Sequence, residues 1–294
     1  MYYRRKILLN LLSRCGGEIE KLKLQKLLLI FCSQQKKPAY HFVPYKYGCF
    51  SFQANADLCA MYKTGLVKAS ETTWSLKNDC SLKETILPED AGRLERVCSS
   101  YAKMDTPELI KHTYVAYPFY ALNSTIVRQL LNKGQQAAVA NAIKRDESAG
   151  LFTIGYEGKS LEGFLNTLLR ANIKTLCDVR KNAYSMKYGF SKTTLSNACE
   201  NVGIKYLHMP AVGIDSSERK GLKTPADYSG LFAKYKTGVL LRTKPEQNRI
   251  LDLIHSEKRV ALMCYEAAPS MCHRSYLAES ILSSGTAGLP LVHL

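Results

Sequence analysis

The sequence predicts two domains, a mostly α segment followed by an α/β segment with a mainly parallel sheet, and three observations carry that prediction. Leucines or isoleucines recur at three-to-four spacing near the start, at 7, 8, 11 and 12 and again at 22, 24, 27, 28 and 29. From residue 151 the pattern changes to short apolar runs alternating with helical ones. Between the two, KRDESAG at 144–150 is charged and then small, which puts the boundary there and gives domains 1–150 and 151–294.

In the first segment, Gly16 and Gly17 separate the two leucine-rich helices. After Pro38, YHFVPYKYGCFSF is aromatic and broken by Pro44 and Gly48, which predicts a short extended hairpin or turn. NADLCAMYKTGLV reads as a helix ending near Gly65, and TTWSL as a short strand. Helix, helix, aromatic turn, helix and strand is the order of a winged helix-turn-helix; a plain helical bundle is the competing arrangement. Helical patterns continue over 80–145, with Pro118 ending one helix.

In the second segment LFTIGY, IKTLCDVR, IKYLHMP, KRVALMCYE and LPLVHL read as strands. LEGFLNTLLRAN, KTTLSNACENVG, YSGLFAKYKTGVLL, PEQNRILDLIHSE and HRSYLAESILSSG read as the helices between and after them. Such alternation predicts a sheet covered by helices on both faces, with sites beyond the carboxyl ends of its strands.

Hydrophobic residues at 46% and charged residues at 22% of 294 exclude disordered and fibrous classes. No stretch reaches the roughly 20 apolar residues needed to span a bilayer. Ten cysteines are scattered without a CxxC pair, and Asn10, Ser13 and Arg14 interrupt the opening leucines before a secretory signal forms. The expectation is a cytoplasmic protein with free thiols and no membrane partner.

A net charge of +16 points to a polyanionic partner, nucleic acid first and DNA in particular, against the blander reading of a basic soluble surface. Position favours the partner, since residues 1–63 hold eleven Lys or Arg against three Asp or Glu, a local net of +8. Lys21, Lys23, Lys26 and Lys46 are the expected phosphate contacts, with Tyr45 and Tyr47 touching sugar or groove.

The chemistry-bearing residues fall at predicted strand ends: Gly155 and Tyr156, then Asp178 and Arg180, then Cys264 and Glu266. GYEGKS is not a phosphate-binding loop, because Thr153 stands where that loop needs its first glycine. Asp178 and Arg180, two apart, share a strand face, either as a carboxylate beside an anion-binding guanidinium or as an ion pair. Cys272, His273 and Arg274 open a helix whose amides would favour an anion, and His208 and Arg219 follow the third strand.

The expected catalytic residues are therefore Asp178, Glu266, His273 and Tyr156, and the expected ligand- or anion-binding ones Gly155, Arg180, Cys272, Arg274 and Arg219. Cys264, Cys272 and His273 are three soft ligands, but their spacing fits no strong zinc pattern and adjacent Cys and His tend to diverge. No metal ligand is assigned and no cofactor is predicted, a divalent metal being left open. A thiol phosphatase needs Cys and Arg around a tight five-residue loop, whereas nine residues separate Cys264 from Arg274. A helix start would still lower the pKa of Cys272. Packing is the simplest reading of Cys264.

Thr153 to Tyr156, Asp178 to Arg180, Gly203 to Ile214, YGFSK at 188–192, Cys264 to Arg274 and the closing LVHL together resemble the bacterial and archaeal domain of unknown function 488 family. The resemblance spans nearly all of 151–294. It implies a Rossmann-like three-layer sandwich with a poorly characterised active site, often found near genes for nucleic-acid processing or defence. KLQKLLLIF, HFVPYKYGCFSFQANADL and TGLV resemble winged-helix domains that precede this module in some relatives and occur in antitoxin-like proteins. The combined expectation is a DNA-binding protein whose second domain acts as a hydrolase on a nucleotide, base or phosphoester. The alternatives are a non-catalytic nucleotide or modified-base sensor controlling transcription or a toxin, and a protein–protein module.

Overall fold

The glycine pair at 16 and 17 ends the first helix, and the apolar stripes on either side of it fold as α1 (Tyr3–Arg14) and α2 (Lys21–Ser33), with β1 (Glu18–Glu20) between them. The computed structural model describes residues 1–77, 85–219, 221–222, 224–284 and 288–294. The helical readings at 80–84 and at Gly285 lie outside these. The chain divides into two units, Met1–Ile143 and Lys144–Leu294.

The first unit continues with β2 (Val43–Tyr45), β3 (Gly48–Phe50), α3 (Phe52–Lys63), β4 (Val67–Ala69) and β5 (Thr73–Leu76). β1, β5 and β4 form a three-stranded antiparallel sheet in that order, while β2 and β3 make a separate hairpin. The aromatic turn expected to be wing-like is thus an insertion between α2 and α3, outside the sheet. α4 (Pro88–Tyr101), α5 (Thr106–Ala116), α6 (Val127–Leu130) and α7 (Lys133–Ala140) follow, and α5 stops two residues before Pro118.

α2 is buried without interruption from Leu24 to Cys32, so it is a central helix rather than a surface one. Lys26 falls inside this run. It is 1% exposed, and its ammonium donates to the carbonyls of Tyr47 at 2.5 Å and Cys49 at 3.2 Å, tying α2 to the β2–β3 hairpin. Burial holds its pKa below the ordinary lysine value. Lys26→Ala should therefore destabilise the first unit by about 3 kcal/mol, from lost packing and from the buried Cys49 carbonyl and the part-buried Tyr47 carbonyl losing their donor. Denaturant titration followed by Trp74 fluorescence checks this, and a change below about 1 kcal/mol would contradict the anchoring role.

The second unit runs β6 (Gly150–Gly155), α8 (Leu161–Arg170), β7 (Thr175–Asp178), α9 (Lys192–Asn201), β8 (Lys205–His208), α10 (Pro225–Thr237), α11 (Val239–Arg242), α12 (Lys244–Glu257), β9 (Arg259–Cys264), α13 (His273–Leu282) and β10 (Leu291–His293). Its five strands pair in the order β10-β6-β9-β7-β8, all parallel, in a Rossmann-like α/β fold. β6, β7 and β9 are buried at every position, as a sheet covered on both faces requires. The helix expected across YSGLFAKYKTGVLL is broken at Gly238 into α10 and α11.

The steps β6 to β7 to β8 move one way along the sheet, and β8 to β9 to β10 move back. With right-handed crossovers, α8 and α9 then cover one face and α10 to α13 the other. The reversal falls at β9, whose neighbours β6 and β7 send their connections to the opposite face from its own. A crevice opens at the carboxyl ends of these three strands, where open parallel sheets bind ligands. No described helix is long and apolar enough to cross a membrane.

Candidate functional site

Side-chain alternation divides the expected site residues between the two faces. Cys177, Val179, Val260, Leu262 and Cys264 share a core with Leu231 of α10, Ile250 of α12 and Leu277 of α13. Asp178, one residue out of step, points into the α8–α9 layer. In the ladder it sits beside Met263, and Cys264 sits beside Gly155.

On the α8–α9 side, Asp178 is fully buried and receives Arg180 bidentately, Nε at 2.8 Å and Nη2 at 2.6 Å. The Tyr206 hydroxyl adds a third bond at 2.6 Å. Arg180 also donates to the Tyr156 hydroxyl at 3.0 Å and to the Phe190 carbonyl at 2.9 Å. Tyr156 stacks on Phe190 with ring centres 4.3 Å apart. Burial works against the Arg180 charge, but the Asp178 carboxylate outweighs it and raises the pKa. This is a satisfied buried ion pair, the bland reading of the two. The His208 ring, 3.0 Å from the Arg180 carbonyl, is part of its scaffolding.

On the other side, Arg219 forms an ion pair with Glu266 and places Nη2 2.7 Å from His273 Nδ1. A guanidinium only donates, so Nδ1 is the acceptor and the ring proton sits on Nε2, which donates to the Val179 carbonyl at 3.0 Å. The Cys264 thiol lies 3.4 Å from Glu266 Oε2 and 3.7 Å from His273 Nδ1, and Cys272 Sγ lies 3.9 Å from the same nitrogen. Burial would raise the Glu266 pKa, but the Arg219 charge and the thiol hydrogen bonds prevail and hold it below the usual carboxylate value. Burial and the neighbouring Cys264 push the Cys272 thiol well up, so the helix start does not activate it as expected.

Arg274 is a second correction. It is buried, and it donates to the backbone carbonyls of Glu266 at 2.5 Å and Ala267 at 3.0 Å. It fixes the loop after β9 instead of receiving an anion. Cys272 and Arg274 both being buried, the start of α13 is no open anion pocket. Cys272 and His273 do not diverge: Cys272 is still extended (φ −135°, ψ 136°) and His273 is the first helical residue, so the turn between them brings both side chains back to Cys264.

A pocket of about 160 Å³ lies over the sheet end, lined by Tyr156, Arg180, Arg219, Cys264, His273 and a group the sequence reading missed: Lys181, Asn182, Tyr184, Ile214 and Tyr265. Tyr184 and Tyr265 are 67% and 46% exposed. The available signal was the aromatic run NAYSMKYGF after the second strand, too polar for core and too aromatic for an ordinary loop. Gly155 takes no part in lining, and its role is to let backbone pass close to Glu266.

In the first unit the helix lysines are engaged by backbone carbonyls. Lys21 donates to the carbonyls of Ser70 and Glu71, Lys23 to that of Met104, and Lys26 is buried. Lys46 and Tyr47 at the hairpin tip are exposed, while Tyr45 is partly buried against Phe50 and Phe52. Buried Lys26 has no access to a phosphate, which corrects its expected role.

Residues 160–281 match the family model described as Domain of unknown function DUF488. The matched span holds Asp178, Arg180, Arg219 and the whole Cys264 to Arg274 loop. A search of curated proteins returned no match to the chain.

Proposed function

We propose, from the match of residues 160–281 to the DUF488 family model, that the second unit acts on one nucleotide unit of a nucleic acid held by the basic first unit. The observation that carries this reading is the pocket itself, in which Arg219 and Lys181 meet Tyr184 and Tyr265. Cations beside exposed aromatic rings suit a phosphate joined to a planar base. Size narrows it further, since about 160 Å³ is well below the roughly 300 Å³ at which small-molecule sites begin. A base or a sugar phosphate fits, and the remainder of a larger ligand lies outside.

Arg219, held by Glu266 and His273, would bind the phosphate, and the ionised Glu266 carboxylate would serve as general base toward a water in hydrolysis of a phosphoester or base–sugar bond. The winged-helix reading of the first unit is supported by the β1-β5-β4 sheet, in which β1 lies between α1 and α2 while β4 and β5 follow α3. Its usable cations are the exposed Lys36, Lys37, Lys46 and Lys63 rather than those of α2. One observation favours the sensor alternative: Glu266 is engaged by Arg219 and Asp178 by Arg180, so both carboxylates already have cationic partners.

Incubation with labelled DNA, RNA and a nucleotide panel separates these readings. The expected result is turnover lost in Glu266→Gln with binding retained, and binding weakened about tenfold or more in Arg219→Ala. Tight binding without turnover by the wild type selects the sensor. Nucleic-acid affinity should fall steeply between low and moderate salt, and Lys46→Glu should flatten that slope. Salt-independent binding would remove the nucleic acid from the proposal.

A further inference from the structure

We propose that Cys264, Cys272 and His273 form a soft divalent-metal site of the zinc class, with Glu266 as its fourth ligand. The inference goes beyond the pocket's ligand; in the metal-loaded protein Glu266 is a ligand and no longer the general base, which leaves the pocket a binding site. The two thiols and His273 Nδ1 lie within 4.8 Å of one another and all three residues are buried. The separations of Nδ1 from the sulfurs, 3.7 and 3.9 Å, and of Cys264 Sγ from Glu266 Oε2, 3.4 Å, can be compared with tetrahedral zinc. Bonds of about 2.3 Å to sulfur and 2.0–2.2 Å to nitrogen or oxygen put S and N, or S and O, roughly 3.5–3.6 Å apart. These three separations therefore lie within a few tenths of an ångström of those that a shared ion would set.

Two further features distinguish this from cysteine packing. His273 is locked in one tautomer by Nε2–H to the Val179 carbonyl, the arrangement that orients metal-bound imidazoles, which leaves Nδ1 an acceptor beside the sulfurs, where Arg219 Nη2 donates to it at 2.7 Å. The charge also closes: a divalent ion, two thiolates, neutral imidazole and one carboxylate sum to −1, and Arg219 beside Glu266 supplies the compensating cation. On metal entry the Cys264 and Cys272 thiols each release a proton to solvent, two metal–sulfur bonds form, and Arg219 leaves Nδ1 while keeping Glu266. The near-complete burial of Cys264, Cys272 and His273, with Glu266 partly buried beside them, suits a closed four-ligand site rather than an open catalytic one.

Cobalt(II) titration of the reduced, chelator-treated full chain tests this. One equivalent should bind, with thiolate-to-cobalt charge-transfer absorption, intense tetrahedral visible bands and release of two protons, all reversed by zinc. Cys272→Ser and His273→Gln should each weaken binding about 100-fold or more, while Cys59→Ser in the first unit should not. Because a core variant can fail to fold, zinc should also raise the melting temperature of the wild type. Uptake below one equivalent, a cobalt spectrum without sulfur charge transfer, or no thermal response in the wild type overturns the site. None of these readouts involves nucleic acid, so loss of the metal site and loss of the nucleotide reading are separate results.

Discussion

Asp178→Ala is expected to destabilise the second unit by about 3–5 kcal/mol, the range for removing one partner of a buried ion pair. Asp178 is fully buried, and three strong bonds converge on it, two from Arg180 and one from Tyr206. Without it the Arg180 guanidinium keeps only the Tyr156 hydroxyl and the Phe190 carbonyl, and a full charge stays out of water. Replacing both partners, as in Asp178→Val with Arg180→Met, should recover at least half of the loss, because no uncompensated charge then remains. The sole tryptophan, Trp74, reports on the first unit, so the measurement is near-UV circular dichroism of the tyrosines or hydrogen exchange in β7. If the single variant keeps its stability and loses only turnover, Asp178 is catalytic and the ion-pair account fails.

The alternation of strands and helices after residue 151 was legible because each strand is short, apolar and bounded by turn residues, and all five expected strands form. What a single strand cannot display is its register against its neighbours. Asp178 and Cys264 both end strands, yet the ladder sets Asp178 beside Met263, so the two side chains leave the sheet on opposite faces. Strand-end position placed them in one crevice, and parity divided it. Lys26 shows the corresponding limit for helices. Its lysine character suggested a surface, whereas the unbroken apolar sequence from Leu27 to Cys32 already marked a helix buried all round. Cys272 and His273 were misread for a third reason: neighbours diverge within a regular helix, but these straddle its first residue, where the backbone changes from extended to helical.

Gly155→Ala should cost about 3 kcal/mol, the upper end of ordinary overpacking, and should displace the loop that carries Glu266. A Cβ at Gly155 would stand 1.9 Å from the Glu266 carbonyl oxygen and 3.0 Å from Ala267 Cα, both backbone atoms that no rotamer change can clear. The same carbonyl is held from the other side by Arg274 Nη1 at 2.5 Å, so it cannot retreat without breaking that bond. Any movement that makes room shifts Tyr265 and Glu266 together, opening the pocket lining and the Glu266–Arg219 pair at once. Gly158→Ala provides the contrast: its φ of +72° is unfavourable for alanine but nothing lies within 4 Å of the added carbon, so about 1 kcal/mol is expected. Melting curves with hydrogen exchange over 264–267 compare the two. A Gly155→Ala protein as stable as Gly158→Ala, with unchanged exchange in that loop, would show that the close approach does not hold the site together.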